Sequence, residues 1–516
     1  MPVLTAPRLQ AETPSRALRP KTIALWAAAI FAAYLILAFG DALVALPWCD
    51  EAWLSNPALT FLRKGYLGTP ILTQFGWGPP ENLLHIQQRT YWIMPLHMLT
   101  QIVWYRVFGY SLLALRSLSI VWGTVALGAL ASIVFLLTRN AGTALLALAI
   151  AGTDYFYLTR AIDGRMDMMA AALMLSGFAY YLYERERNLT RAVAVSGILA
   201  AASFFTHPVA GFFALCGSGF LGLYFDRRRL RLRHIVLFGL PFAVMGAAWG
   251  VYIAQDVAAF RLQMSGNAQG RWEGMTNLSA SVYREIRYKY FQAFGLNTFA
   301  SPSLQHLRLV ALASYLAAAA AVALTPALRA LRGIRALLWI TFIFVFGGML
   351  FDGAKRWYYL LYVVPFFVAL LAVWVNWLWE QKRIPRGAVA AATAAFLLIQ
   401  VGGTAYRIKK NDYKNKFLPA MEFLKTHNPN HEAVNGEGEA GFALGFPDYL
   451  IDDVSLGYFS RQQAKFIFIP ETYWGLWMGN MKDRDPAVSR HIEYTLSHDY
   501  TLAYDHPPYK IYERKN

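Results

Sequence analysis

Charge is scarce in this chain. Of its 516 residues only 15% are Asp, Glu, Lys or Arg, while 57% are hydrophobic, and the mean hydropathy is +0.33. Soluble domains carry about 25% charged residues, so a water-soluble globule is excluded. Cysteine is scarcer still. Cys49 and Cys216 are the only two, and Cys216 stands in an apolar run, which argues against a disulfide framework. The sequence also lacks zinc-ligand spacing, a Walker phosphate loop, a dinucleotide glycine motif and a Ser-His-Asp signature. Nucleotide-driven chemistry is therefore not indicated. No repeat of fixed period and no low-complexity stretch occurs.

What the chain does have is long apolar runs. They fall near 22–46, 112–138, 141–158, 167–183, 192–206, 208–225, 234–255, 308–326, 336–351, 357–378 and 387–404. Each is close to the length that crosses a bilayer as a helix. The fold class expected is an α-helical polytopic membrane protein of about eleven transmembrane helices with a small C-terminal extramembrane α/β domain. The first run is read as a span and not as a cleavable signal, because it is long and no small-residue cleavage site follows "LILAFGDALVALPW". The formal charge of +17 does not point to nucleic acid, since basic residues of membrane proteins collect in cytoplasmic loops. The 16 Trp and 29 Tyr suit interfacial belts and also the walls of sugar sites.

Lys and Arg set the orientation. With the N-terminus inside, the cytoplasmic segments carry Arg8, Arg16, Arg19 and Lys21, then Arg139, "ERERNLTR", "DRRRLRLR", "ALRALRGIR" and "EQKRIPR". The same rule settles two ambiguous stretches. Residues 89–109 are read as an interfacial helix on the outer face, because counting them as a span would invert every later loop. Residues 192–225 are too long for one crossing of ~30 Å, so "THP" at 206–208 is read as a break between two short ones. The organisation expected is a cytoplasmic tail (1–21), a transmembrane domain (22–404) with outer loops at 47–111 and 256–305, and an outer domain (405–516). That last domain should hold a helix in "FLPAMEFLKTHN", a strand in "AKFIFIPE", a helix near 486–497 and a paired "YTLAYDHPPYKIYERK".

This arrangement puts most of the notable polar residues on the outer face. Asp50 and Glu51 open the first outer loop, followed by Arg63, Lys64 and Arg89. "TRAIDGRMD" supplies Asp163, Arg165 and Asp167. His207 sits at the break, and Lys355, Arg356 and Tyr358 lie in "FDGAKRWYY". Each has a plain alternative: a solvated cap for the acidic pair, a self-neutralising ion cluster for 160–167, an interfacial belt for 355–359, a backbone-satisfied histidine for 207. One site would use the three charged clusters together. A carboxylate serves as general base on a hydroxyl, and cations hold and stabilise a leaving phosphate. An outer-face enzyme has no access to cytoplasmic nucleotide sugars, so its donor would be carried across by a lipid.

Four segments carry a resemblance. They are "DEAWLSNPALTFLRKGYL" (50–67), "FGYSLLALRSLSIVWG" (108–123), "RMDMMAAALML" (165–175) and "KRWYYLLYVVPFF" (355–367). In order and topological side the chain resembles the GT-C membrane glycosyltransferases, in the branch of the protein O-mannosyltransferases and the lipid A aminoarabinose transferase. The resemblance implies a polyprenyl-phosphate sugar donor. It also implies transfer to a glycolipid, glycan or protein acceptor on the periplasmic or luminal face, as in a multi-pass protein of a bacterial inner membrane. By position it makes Asp50 the catalytic acid and Asp167 the second functional acid. Asp50 would activate the acceptor hydroxyl, and attack on the anomeric carbon would proceed with inversion. Glu51 would orient the loop or tune Asp50. The aminoarabinose branch carries E-K-P-P-L in the first loop, and here the matching place reads "WGPPEN" (77–82). Lys64, Arg89 or Arg356 would replace the missing lysine, and the sequence does not choose among them. No cofactor is certain. A divalent metal is left open, with Glu51, Glu81 and His85 as nearby donors.

Two other classes compete. A lipid-linked glycan transporter or flippase would carry acids at mid-membrane and broken helices in matched halves. An O-antigen ligase-type enzyme would rely on outer-loop Arg and His without the acidic pair.

Overall fold

The computed structural model describes residues 19–75, 82–268, 277–295, 304–353, 355–381 and 384–515. Glu81 and most of "WGPPEN", together with Arg8 and Arg16, lie outside the described residues. The first helix, α1 (Pro20–Val44), is followed by two helices at its far end, α2 (Cys49–Lys64) and α3 (Pro95–Phe108). Then come α4 (Leu112–Thr138), α5 (Ala141–Thr153), α6 (Tyr155–Ala161), α7 (Met166–Glu184), α8 (Leu189–Thr206), α9 (Pro208–Asp226) and α10 (Leu232–Ile253). The helices Arg308–Leu324, Arg332–Phe351, Val364–Gln381 and Arg386–Lys410 complete the bundle.

Among the described residues eight helices are long and apolar enough to cross a membrane, and α5 with α6, bent by 65°, passes the same test as a pair and makes nine if the two are one broken span. The 17-residue Arg308–Leu324 and the more polar α7 occupy the two remaining expected positions. The chemistry of the boundaries is local. Asp154 ends α5 and caps α6, accepting from Tyr157 N at 2.7 Å. His207 is extended, as a residue before proline must be, and Pro208 starts α9 where its missing N–H costs nothing. This is the break expected at 206–208.

The basic loops gather at one end of the bundle. There Arg185 Nη1 lies 2.9 Å from Asp226 Oδ2, Arg332 Nη2 donates to Tyr224 O at 3.1 Å, and Asn140 Nδ2 donates to Glu380 Oε1 at 3.4 Å. The other end carries α2 and α3. On α3, Leu99, Val103 and Val107 are exposed at four-residue spacing while His97, Gln101 and Tyr105 are buried. An apolar stripe turned outward suits a helix lying at the lipid boundary.

Beyond Asn411 the chain turns through a short helix (Leu418–His427) into a five-stranded sheet. Its strands are β1 (Val434–Gly436), β2 (Leu450–Ile451), β3 (Phe466–Pro470), β4 (Tyr500–His506) and β5 (Tyr509–Arg514). The order is β2-β1-β3-β5-β4, parallel on the β2-β1-β3 side and antiparallel through β3-β5-β4. Along β3, Phe466 and Phe468 pack under Leu418–His427, while Ile467 and Ile469 pack with Val488 and Ile492 of a helix at Pro486–His498. The period-two alternation of a strand thus serves two apolar layers. This domain rests on α2. Trp53 Nε1 donates to Asp452 Oδ2 at 2.6 Å, and Asp452 N donates to Ile71 O at 2.7 Å.

Candidate active site

The site begins with a connection. The last carbonyls of α1 and the first N–H groups of α2 need partners at the turn between the two helices. Arg116, one turn into α4, supplies the first set: Nη1 donates to Ala42 O (2.7 Å) and Ala45 O (3.0 Å), and Nη2 to Leu46 O (2.8 Å). The same guanidinium holds both oxygens of Glu51, at 2.7 and 2.8 Å. Glu51 Oε2 in turn accepts from Trp48 N at 3.0 Å. A charged pair this deeply buried is sustained because every oxygen and most N–H groups are bonded. Glu51 is thereby committed to holding the start of α2, and the residue before it is presented at the surface of the bundle.

That residue is Asp50, whose side chain is 19% exposed. It forms an ion pair with Arg165 Nη1. Arg165 is the N-cap residue of α7, and its Nε lies 2.7 Å from Asp167 Oδ2. Its guanidinium stacks over Tyr358 at 4.2 Å and faces Trp48 at 5.2 Å. Asp167 Oδ1 accepts from Tyr362 Oη at 2.9 Å, and that hydroxyl lies 3.1 Å from His207 Nδ1. Asp163 pairs with Arg160, whose guanidinium stacks on Trp357 at 4.2 Å. Burial pushes the Asp163 carboxyl up to about 7 against the pull of Arg160, and the negative charges of Glu51 and Asp167 add to the rise.

The fold therefore brings Asp50, Glu51, Asp163, Arg165, Asp167, His207 and Tyr358 together. It takes others elsewhere. Arg63 donates to Gly445 O (3.1 and 3.2 Å) and Phe446 O (3.3 Å), and Lys64 pairs with Asp448 at 3.0 Å. Both fasten the C-terminal domain to the end of α2, away from the acids. Arg89 lies 3.9 Å from Asp256, which is held closer by His85 at 2.7 Å. Lys355 is buried, 3.0 Å from Glu285 Oε2, and donates to Met349 O at 2.5 Å. Glu285 and Asp352 share a second ammonium, that of Lys289, at 3.1 and 3.2 Å. Lys355 thus belongs to a neutral internal cluster. Arg356 is exposed and makes no ion pair among the described residues.

Arg116, Trp48 and Tyr362 were not picked out from the sequence. Arg116 had a signal, being the only charge in the apolar run 112–138, where an ionisable residue needs a reason. Of the three donors considered for a metal, the two that are described are each engaged elsewhere. Glu51 is taken by Arg116 and His85 by Asp256, and Glu81 lies outside the described residues. Among the described residues no three His, Cys, Asp or Glu side chains are grouped to hold a metal ion.

No family model matches the chain, and no curated protein does. Solved structures do. ArnT from Cupriavidus metallidurans, bound to undecaprenyl phosphate, superposes with a TM-score of 0.56 at 12% identity over 94% of this chain and 97% of its own. The archaeal oligosaccharyltransferase AglB from Archaeoglobus fulgidus, in complex with an inhibitory peptide and a dolichol-phosphate, gives 0.53 at 12% identity, over 95% of this chain and 74% of its own. The chain has the GT-C fold. The Archaeoglobus enzyme has also been solved with Zn and sulfate, at a TM-score of 0.50 and 10% identity over 90% of this chain and 71% of its own. The GT-C fold accounts for the expected order of helices and the small sheet domain after the last one. At these identities the likeness speaks for architecture, and the chemistry must be argued from the residues described above.

Proposed function

We propose that the protein is an integral membrane glycosyltransferase that moves a sugar from a polyprenyl-phosphate donor to an acceptor hydroxyl at the outer, periplasmic face, with inversion. The observation that carries this reading is Asp50. It is the partly exposed member of an otherwise buried ion network, held at the first turn of α2 by the Glu51–Arg116 clasp. The GT-C architecture, seen in neighbours solved with polyprenyl-type phosphates, supports the donor class.

Asp50 faces one guanidinium, which it shares with Asp167. A general base acts as the carboxylate, and the Asp50 side chain is partly open to an acceptor. An acceptor O–H bonded to Asp50 would lose its proton to that carboxylate as its oxygen attacks the anomeric carbon. The bond from that carbon to the phosphate oxygen breaks, and polyprenyl phosphate leaves with the electron pair. In this reading Arg165 and Arg356, the latter exposed and without an ion pair among the described residues, would meet the developing charge. Tyr358 holds Arg165 in place by stacking. No step is assigned to a metal.

The test is Asp50→Asn, which keeps the shape and cannot take the proton. A general base contributes roughly 10²–10⁴-fold, so transfer to a hydroxyl acceptor should fall by about that factor, with donor binding retained. An acceptor analogue already ionised should recover part of the rate. Wild-type turnover in Asp50→Asn on a hydroxyl acceptor would reject the mechanism.

A further inference from the structure

A second cluster of arginines stands at the same end of the bundle, joined to the first site through the Arg160–Asp163 pair, and no step of the reaction above is assigned to it. Three helices contribute to it. Arg308, opening the helix Arg308–Leu324, donates to Tyr155 Oη at 2.8 Å and lies over that ring at 4.3 Å. Arg407, in the last turn of Arg386–Lys410, faces the same ring at 5.8 Å and lies 3.2 Å from Asp41 of α1. Arg160 of α6 pairs with Asp163, yet its buried Nε has no hydrogen-bond acceptor among the described residues. Arg407 and Arg160 are both close enough to Arg308 to act on it electrostatically. Asp154, next to Tyr155 in the chain, makes no ion pair with them among the described residues; its oxygens accept from Tyr315 Oη (2.6 Å) and Tyr157 N (2.7 Å).

Of the three cations, Arg160 and Arg407 have a carboxylate each, Asp163 and Asp41, and Arg308 makes no ion pair among the described residues. The excess grows outward. Residues 405–416 hold Arg407, Lys409, Lys410, Lys414 and Lys416 against Asp412 alone. Asp412 is shared by Lys410 and Lys416 at 3.1 Å each. Lys409 and Lys414 are exposed and make no ion pair among the described residues. On the orientation argued above this basic segment is external, where the usual loop bias gives it no reason to be. Like charges gathered at the rim of a membrane bundle are stabilised by an anion, and guanidinium forks match phosphate oxygens.

We propose that Arg308, Arg407 and Arg160 form a second anion site that takes the phosphate of a lipid headgroup, with Lys409 and Lys414 as its approach. Tyr358 and Trp357 stand between Arg165 and Arg160 as neighbouring rings. Their rings lie 5.9 Å apart, and Tyr358 stacks on Arg165 while Trp357 stacks on Arg160. A lipid is favoured over a free ion because all three arginines lie at the ends of membrane helices. Two sources share this chemistry: a phosphomonoester on a glycolipid, and the phosphodiester of bulk phospholipid.

Native mass spectrometry of the full chain in detergent distinguishes them without any sugar transfer, so the result is independent of the proposed reaction. The probes are a disaccharide glycolipid bearing a phosphomonoester, the same glycolipid without phosphate, phosphatidylglycerol and phosphatidylcholine. Arg308→Gln should weaken the phosphate-bearing ligand about tenfold, as expected for one lost charge-assisted contact. Arg308→Lys should recover part of the loss, and polyprenyl phosphate should bind as before. Dependence on Arg308 for the monoester alone assigns the site to a phosphorylated glycolipid, and equal dependence for phosphatidylglycerol assigns it to bulk lipid. Should Arg308→Gln fail to fold, the exposed pair Lys409→Gln and Lys414→Gln decides, with an expected drop in affinity and a shallower salt dependence. Unchanged affinities in the folded variants, or equal binding of the unphosphorylated probes, would overturn the proposal.

Discussion

Arg165 bridges two carboxylates, pairing with Asp50 through Nη1 and with Asp167 through Nε at 2.7 Å. One guanidinium thereby ties the start of α2 to the first turn of α7. The two acids, 117 positions apart in the chain, become one unit through that residue.

Arg165→Lys tests the bridge. Lysine keeps the charge but presents a single ammonium where the fork serves two partners. Losing one charge-assisted bond costs about 1.5–3 kcal/mol, so kcat/KM should fall roughly ten- to a hundredfold. The protein should remain monodisperse on size-exclusion chromatography. Activity within a factor of two of wild type would show that the bridge does not position Asp50.

Lys355 and Arg356 are neighbours in sequence with opposite expected behaviour. Lys355→Ala leaves Glu285 facing only Lys289 in a buried cluster, and breaking such a pair costs about 3–5 kcal/mol, so the melting temperature should drop clearly. Arg356→Ala removes an exposed cation, so stability should hold within about 0.5 kcal/mol while affinity for polyprenyl phosphate weakens. Thermal unfolding and donor binding measured on both variants check the contrast. A stable Lys355→Ala with weakened donor binding would reverse the two roles.

Glu51 and Arg116 should behave as a single unit. Glu51→Gln leaves the guanidinium without its counter-charge, and Arg116→Leu leaves the carboxylate and three backbone carbonyls without donors. Each single change should destabilise by about 3–5 kcal/mol. The double variant should lose less than the two combined, giving a coupling within the range of 0.5–3 kcal/mol seen for contacting residues. Additive losses in a double-mutant cycle would mean that the clasp does not hold the α1–α2 turn.

The contact between α2 and the C-terminal domain should loosen as pH rises. Burial pushes Asp452 up to about 7, with a further push from Asp453, against the N–H groups of Trp53 and Gly438 that favour its charged form. Burial likewise raises Glu437, with Glu439 and Asp452 adding to the rise, and Glu439, with Glu51 and Asp452 adding to it. These carboxyls hold their protons more tightly folded than unfolded, where the value is about 4. The folded state thus binds more protons between the two values, and stability falls with increasing pH by about 1.4 kcal/mol per unit for each such group. For Asp452 the contribution is full below about 4 and gone once pH has risen past about 7. Thermal unfolding and limited proteolysis of the C-terminal domain between pH 5 and 8 should show it, and Asp452→Asn should flatten the slope. A midpoint that climbs across this range would contradict it.

Much of the architecture was legible because it is written in one-dimensional signals. Apolar runs of bilayer length gave the helices, and the Lys/Arg bias grouped their ends. "THP" marked the α8–α9 break because Pro208 cannot donate and forces His207 to extend. The alternation in "AKFIFIPE" gave β3, and "YTLAYDHPPYKIYERK" gave the β4–β5 pair. β1 and β2, three and two residues long, are too short to show any period, so the parallel half of the sheet was invisible until β3 was there to pair with it.

The sequence alone determined that this is a polytopic chain with acids and cations held at one end. Length and hydropathy are properties of single segments, and the bilayer acts on segments one at a time. Which cation met which acid was decided only in three dimensions. Arg63 and Lys64 follow the acidic pair by a few turns, yet they fasten the C-terminal domain, because α2 carries them away from its own N-terminus. Lys355 and Arg356 are adjacent, yet one is buried against Glu285 and the other is exposed. Arg116 and Arg165, distant in sequence, became the partners of Glu51 and Asp50. Ionic contacts act over a few ångströms with whatever the packing brings near, and no periodicity in the chain records that choice.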